Sequence, residues 1–301
     1  MVKSLSDNDF RDGTAASAVP DVHVSTAVDI LKSADIERVE ALFYAWRDTS
    51  PNLEELVDAC CNSVGFSDAS KQIVMVGAAM AAEENKNPYH NNDHFREVFA
   101  LTFMLANHGH VNGRISEKHF ARRLTAALLH DYKHDGKTNT VDGQHVPFRL
   151  EQQSFDAAKD RLIEAGATRK DMTIIEALIL GTDVSAPQGE VSPAASMKNY
   201  SESGNPDDLH PRLRVLHGLN LVDTSLLLHD TDVGLSAAIS REFNERQGED
   251  LRIEWGLDEP PDQKFFLNAL CRGRMFSRSG RALLQNSMND VLKSYGIEPA
   301  A

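Results

Sequence analysis

The chain has 301 residues, 41% hydrophobic and 25% charged, with a formal net charge of −14. That size and mix fit a soluble globular chain with a substantial core. The acidic balance excludes non-specific nucleic-acid binding, which needs Lys and Arg against phosphate, and it opposes an anionic substrate unless local positive charge, most simply bound metal, neutralises it.

Residues 1–26 are small, polar and acidic, and are expected to form a disordered tail ahead of a single domain over 27–301. The tail lacks the apolar core of a signal peptide, and no stretch approaches the roughly 18 to 20 apolar residues of a membrane span. Cys60, Cys61 and Cys271 form no CxxC pattern or disulfide framework. Together these features predict a cytoplasmic location. From Ala27 to Arg47, apolar Val28, Ile30, Leu31, Val39, Leu42, Phe43 and Trp46 recur at three- and four-residue steps, which predicts a helix. A second helix is expected to start near Pro51, and Asp68 is expected to cap a third running through Ala79. Further helices are expected at about 91–108, 117–132, 148–165, 171–182, 211–229, 235–247, 262–276 and 280–294, with Gly and Pro mostly between them. Long alternating strands are missing from the pattern, so the fold class is all-α. Residues 184–210 read as a long polar connection, either a mobile surface insertion or a lid over the site. Gly248 to Asp262, with Pro260-Pro261, reads as a second irregular stretch.

The chemistry is concentrated in a few side chains. His130-Asp131 ends the apolar run Leu124 to Leu129, so imidazole and carboxylate project at neighbouring angles from one rigid support. His90 and His94 stand in an H-x-x-x-H spacing that shares one helical face. Asp223, in Leu221-Val222-Asp223-Thr224-Ser225, is a further acidic candidate. Mixed nitrogen and oxygen donors suit zinc or a similar divalent ion, and typify catalytic rather than structural sites. A metal-dependent hydrolase is the leading reading.

These motifs resemble a known family. His90-Asn91-x-x-His94 followed by His130-Asp131-x-x-His134-x-Gly136-x-x-Asn139 is similar to the signature of the class I cyclic-nucleotide phosphodiesterases, a branch of the HD phosphohydrolases. Phe148-x-Leu150-Glu151, Thr182-Asp183, Asp223-Thr224-Ser225 and Gln263-x-x-Phe266 continue the resemblance in the same order. The chain departs from the family pattern at Lys133, at Asp135, and at Leu226-Leu227, where the family commonly has Asn-Pro.

The resemblance implies a compact multi-helix domain with a two-metal pocket. Zinc would be held by His94, His130, Asp131 and Asp223, and a second ion, Mg2+ or Mn2+, would share Asp131. His134, Glu151, Asp183 and Asn91 would orient these ligands and their waters. His90 would be the general acid, opposite a metal-bridged hydroxide, in the hydrolysis of cyclic AMP, cyclic GMP or both to 5′-nucleotides. Gln263 would face the base edge and Phe266 stack on it, with Tyr89 and Ile239 completing the small-molecule pocket. The resemblance leaves a homodimer open. Two other readings stand beside this one: a different HD phosphohydrolase such as a nucleotidase, and a non-catalytic nucleotide-binding regulatory module.

Overall fold

Helices account for nearly all the regular structure because their sequences carry both an apolar stripe and a start signal. In the computed structural model, which describes residues 23–299, nine of the helices of six or more residues begin with a side chain that accepts a backbone N–H of the first turn: Asp35, Asn52, Ser67, Asn91, Ser116, Thr168, Ser192, Ser240 and Ser277. In chain order the helices are α1 (Val24–Ser33), α2 (Ile36–Thr49), α3 (Leu53–Ser63), α4 (Asp68–Ala81), α5 (Asn92–Val111), α6 (Glu117–Leu129), α7 (Arg149–Glu164), α8 (Arg169–Leu180), α9 (Pro193–Ser203) and α10 (Arg214–Gly218). They continue as α11 (Val222–Ala238), α12 (Arg241–Trp255), α13 (Gln263–Phe265), α14 (Arg278–Leu283) and α15 (Gln285–Ser294). A two-residue antiparallel hairpin, Thr140–Val141 against Gln144–His145, is the one sheet among the described residues. The all-α expectation therefore holds.

Helix α5 is the axle. From His94 to Asn107 every residue is buried, and it packs against α1, α2, α6, α11 and α14. Phe99, Phe103 and Phe120 stack through the α5–α6 contact. Helix α4 packs directly on α6, with Gly77 facing Leu128 and Thr125. No helix among the described residues is long and apolar enough to cross a membrane.

Several boundaries differ from expectation. The helix expected over 27–47 is two, because Ala34 turns left-handed (φ 55°) and Asp35 caps a new start. The expected tail falls, for residues 1–22, outside the described residues, and Val24 to Thr26 already belong to α1. No break separates 229 from 235: α11 runs through, because Gly234 lies flush against Leu284 and buried Asp230 accepts the N–H groups of Phe276 and Ser277. The stretch expected to be irregular from Gly248 is helical as far as Trp255. The connection over 184–210 contains α9, started by Pro193 in its first turn and anchored by buried Ala194 and Met197. The helix expected over 262–276 is shortened to α13 and a π turn over Phe266–Leu270, after which Arg272 and Gly273 adopt positive φ and end it.

Candidate metal centre and adjoining cavity

Three central helices each bring donors to one point. His94 sits in the first turn of α5, His130 and Asp131 directly follow α6, and Asp232 lies in the middle of α11. Nε2 of His94 is 3.3 Å from Asp131 Oδ2 and 3.6 Å from Asp232 Oδ1, and Nε2 of His130 is 2.9 and 3.7 Å from the same two oxygens. Donors about 2.1 Å from a common ion lie roughly 3.0 to 3.4 Å apart at octahedral or tetrahedral angles, so this set has the right scale. The imidazoles are also positioned as ligands. His130 Nδ1 is 2.9 Å from the Ala127 carbonyl, which fixes the tautomer with Nε2 free. Nε2 of His130 and both ring nitrogens of His94 are buried without a hydrogen-bond partner among the described residues; the short approaches to the carboxylates do not follow the N–H direction. Buried nitrogens left this way are costly unless something binds them, and a divalent ion fits the donor set.

Asp223 is not brought to this centre. It begins α11 and accepts the backbone N–H of Arg278 at 3.0 Å. Nine residues separate it from Asp232, which is two and a half helical turns: about 13.5 Å along the axis and on the opposite face. The α11 carboxylate that reaches the two imidazoles is Asp232, which reading the sequence missed. A signal existed. Asp230 and Asp232 interrupt the buried run from Thr224 to Thr231 and Gly234 to Ala238, where an acid needs a partner, whereas an acid in the first turn is favoured by the helix dipole alone.

His90 stands beside the centre, before α5. Its Nδ1 lies 2.5 Å from Oε1 of Glu254, whose Oε2 accepts the backbone N–H groups of Tyr89 and His90 at 2.9 Å each. Its Nε2 faces Asp131 Oδ2 at 3.8 Å. Burial alone would lower the His90 pKa, but Asp131 and the Glu254 bond reverse this and hold it above the ordinary value. His134 stacks on His90 with ring centroids 3.7 Å apart, and its Nδ1 accepts Gly136 N–H. Burial, with His90 adding to it, pushes His134 down to about 4, so the stacked ring is neutral.

The other expected helpers lie around the centre at a greater remove. Asn91 caps α5, accepting the N–H groups of Asp93 and His94 and so fixing the turn that presents His94. Glu151 accepts a hydrogen bond from Asn139 at 3.0 Å; burial and then Asp183 push its pKa up to about 8. Asp183 accepts from the backbone of Phe148 and from Ser185, which ties α7 to the segment after α8.

A cavity of about 340 Å³ opens beside His90 and Asp232. Tyr89, Gln263 and Phe266 line it, as expected, together with Val184, Val233, Leu251, Trp255 and Phe265. Val184 thus takes the start of the 184–210 segment to the cavity wall. The Gln263 amide donates to the Pro261 carbonyl at 3.0 Å and rests on Gly248, where a Cβ would lie 2.4 Å from Nε2. Ile239 is not part of this cavity. It ends α11, is buried, and faces a different groove with Asp35, Leu283 and Ser287, because it lies past the last residue of α11 that lines the cavity, Ser236.

Comparison with known proteins bears on the same residues. Residues 89–144, which hold His90, His94, His130, Asp131 and His134, match the family model for 3′5′-cyclic nucleotide phosphodiesterase. The phosphodiesterase domain of Salpingoeca rosetta rhodopsin phosphodiesterase superposes with a TM-score of 0.55 at 19% identity, covering 85% of this chain and 87% of that one, and so shares the fold. Residues 89–144 are thus similar to the 3′5′-cyclic nucleotide phosphodiesterase family, and the chain shares the fold of a phosphodiesterase domain over most of its length. The Drosophila melanogaster dual specificity calcium/calmodulin-dependent 3′,5′-cyclic nucleotide phosphodiesterase 1 is 47% identical over 55 residues, which is 18% of this chain and 6% of that relative. The aligned part of this chain is thus a small piece of that protein's length, and Asp232, Glu254 and Gln263 lie beyond the segment that the family model matches.

Proposed function

We propose that the chain hydrolyses 3′,5′-cyclic nucleotides to 5′-nucleotides. The observation that carries this reading is the convergence of His94, His130, Asp131 and Asp232 next to a His90–Glu254 pair, at the edge of a mostly apolar cavity. The first four residues would hold a tight ion, zinc by its donor chemistry, and Asp131 would be shared with a second, Mg2+ or Mn2+. Ions there supply an activated water and neutralise phosphoryl oxygens, which answers the net charge of −14.

The chain's own groups do the rest. Glu254 accepts from His90 Nδ1, so the proton that His90 can give up is on Nε2, the nitrogen facing Asp131. Asp131 and Glu254 raise the His90 pKa and so favour the protonated ring, which donates that proton to the departing 3′ oxygen. His134, neutral and stacked, limits how far the ring can tilt. Phe266 offers an aromatic face to the base, and the Gln263 amide, able to donate and accept, meets its edge. Both purines suit a rotatable amide.

The test is purified protein with Mg2+ or Mn2+ on cyclic AMP, cyclic GMP and 5′-AMP. Release of 5′-nucleotide from either cyclic substrate, abolished in Asp131→Ala, supports the reading. Phosphate release from 5′-AMP without ring opening favours a nucleotidase. His90→Ala is expected to keep its metal and lose about 10² to 10⁴ in rate; loss of the metal would overturn the acid role.

A further inference from the structure

A second cavity, of about 310 Å³, lies at the other end of α11, around the residue that does not join the metal centre. Its chemistry is opposite to that of the chain as a whole. Arg114, Arg123 and Arg278 line it with His119, against one carboxylate, Asp223. Arg123 is 3% exposed and donates from Nη2 to Thr224 Oγ1 at 2.6 Å, but its Nε and Nη1 have no hydrogen-bond partner among the described residues. Asp223 makes no ion pair with it within 4 Å; its carboxylate is exposed and accepts the Arg278 backbone N–H. Burial pushes the Arg123 pKa down to about 10 and Asp223 only partly offsets this. A buried guanidinium with unused donors costs several kcal/mol unless an anion meets it. The N-terminal ends of α6 and α11 also face the cavity, through Ser116 and through Leu221 and Thr224, and such ends favour negative charge. The side chains of Arg114 and Arg278 are exposed at the rim and make no hydrogen bond or ion pair with the described residues.

We propose that this cavity is a second ligand site, for a phosphate group carried by a small molecule or free in solution. Arg123 forms the floor, Arg114 and Arg278 close over the anion from the rim, and Asp223 sets the position of Arg278 through its backbone. Planar guanidinium groups grip phosphate oxygens in pairs, which an ammonium cannot. The site is independent of the catalytic reading, because the two ends of α11 are separated by more than two turns.

The experiment is thermal unfolding of the full chain titrated with inorganic phosphate and, separately, with ribose 5-phosphate, each against chloride at equal ionic strength. The wild-type chain is expected to show a saturable rise in Tm with at least one of them; a rise with phosphate alone assigns free phosphate, and a larger rise with ribose 5-phosphate assigns a phosphate ester. In Arg114→Gln and Arg278→Gln, both at exposed positions, the half-saturating concentration is expected to rise at least tenfold. Arg123→Met is expected to abolish the effect while leaving the ligand-free Tm no lower than wild type. No saturable rise, or a rise of equal midpoint in the Arg114 and Arg278 variants, would overturn the proposal; the latter result would place the anion at the metal centre.

Discussion

Gly248→Ala should separate stability from binding in this domain. Gly248 is buried within α12, where replacing glycine by alanine ordinarily favours a helix by about 1 kcal/mol. The added Cβ would stand 2.4 Å from Gln263 Nε2 and 3.4 Å from its Cδ. Contacts under about 3 Å are not tolerated, so the amide must retreat by at least roughly 0.6 Å. It is the far end of a flexible side chain, so the fold yields cheaply, but the bond to Pro261 that fixes its direction is lost. An amide displaced from the base edge forfeits about 1 to 1.4 kcal/mol, or about five- to tenfold. Because the amide is remote from the phosphorus, the loss falls on KM and leaves kcat nearly unchanged. Steady-state kinetics on cyclic AMP and cyclic GMP, with a thermal melt of the same sample, check both signs. An unchanged KM for both substrates in a folded variant would refute the role given to Gln263.

Other expectations follow from the same geometry. Glu254→Gln removes a charge-assisted bond to His90 worth about 1.5 to 3 kcal/mol, so the His90 pKa should fall by about one to two units. Since His90 must be protonated to act, the alkaline limb of kcat/KM against pH moves down by that amount; a rate loss with an unmoved limb would contradict it. Glu97, buried beside Arg47 at 3.0 Å, is pushed up to about 7 by burial, which outweighs the Arg47 charge. Its native pKa is then above the unfolded one, so between about pH 4.5 and 7 the folded state binds the extra proton and stability falls as pH rises, by up to about 3 kcal/mol. Urea unfolding across that range should show a shallower decline in Glu97→Gln than in wild type, and identical slopes would show that the pair stays ionised throughout.

The parts of the site legible in the sequence are those set by local geometry. His94 in a first turn, and His130 with Asp131 at a helix end, announce themselves by spacing within a few residues. Asp232 is hard to find in the sequence because the pattern predicts a break at 230–234, which hides that this acid sits inside a buried helix; Leu226-Leu227, in place of the family's Asn-Pro, is a sign against Asp223 as the anchor. Glu254 is 164 residues from His90 and lies on α12 among Arg246, Glu249, Asp250 and Arg252, so nothing in its own neighbourhood marks it out. Gln263 and Phe266 were legible by resemblance alone, since the short α13 and the π turn after it carry no periodicity. Helix boundaries failed where a single backbone angle decided them, as at Ala34.

The metal centre is defined by which aspartate of α11 reaches the imidazoles. Metal content, measured by mass spectrometry on the dialysed wild-type chain and on Asp232→Asn and Asp223→Asn, decides it. The geometry predicts a tightly held ion in wild type and in Asp223→Asn, and its loss in Asp232→Asn. Retention in Asp232→Asn with loss in Asp223→Asn would contradict the placement of the centre.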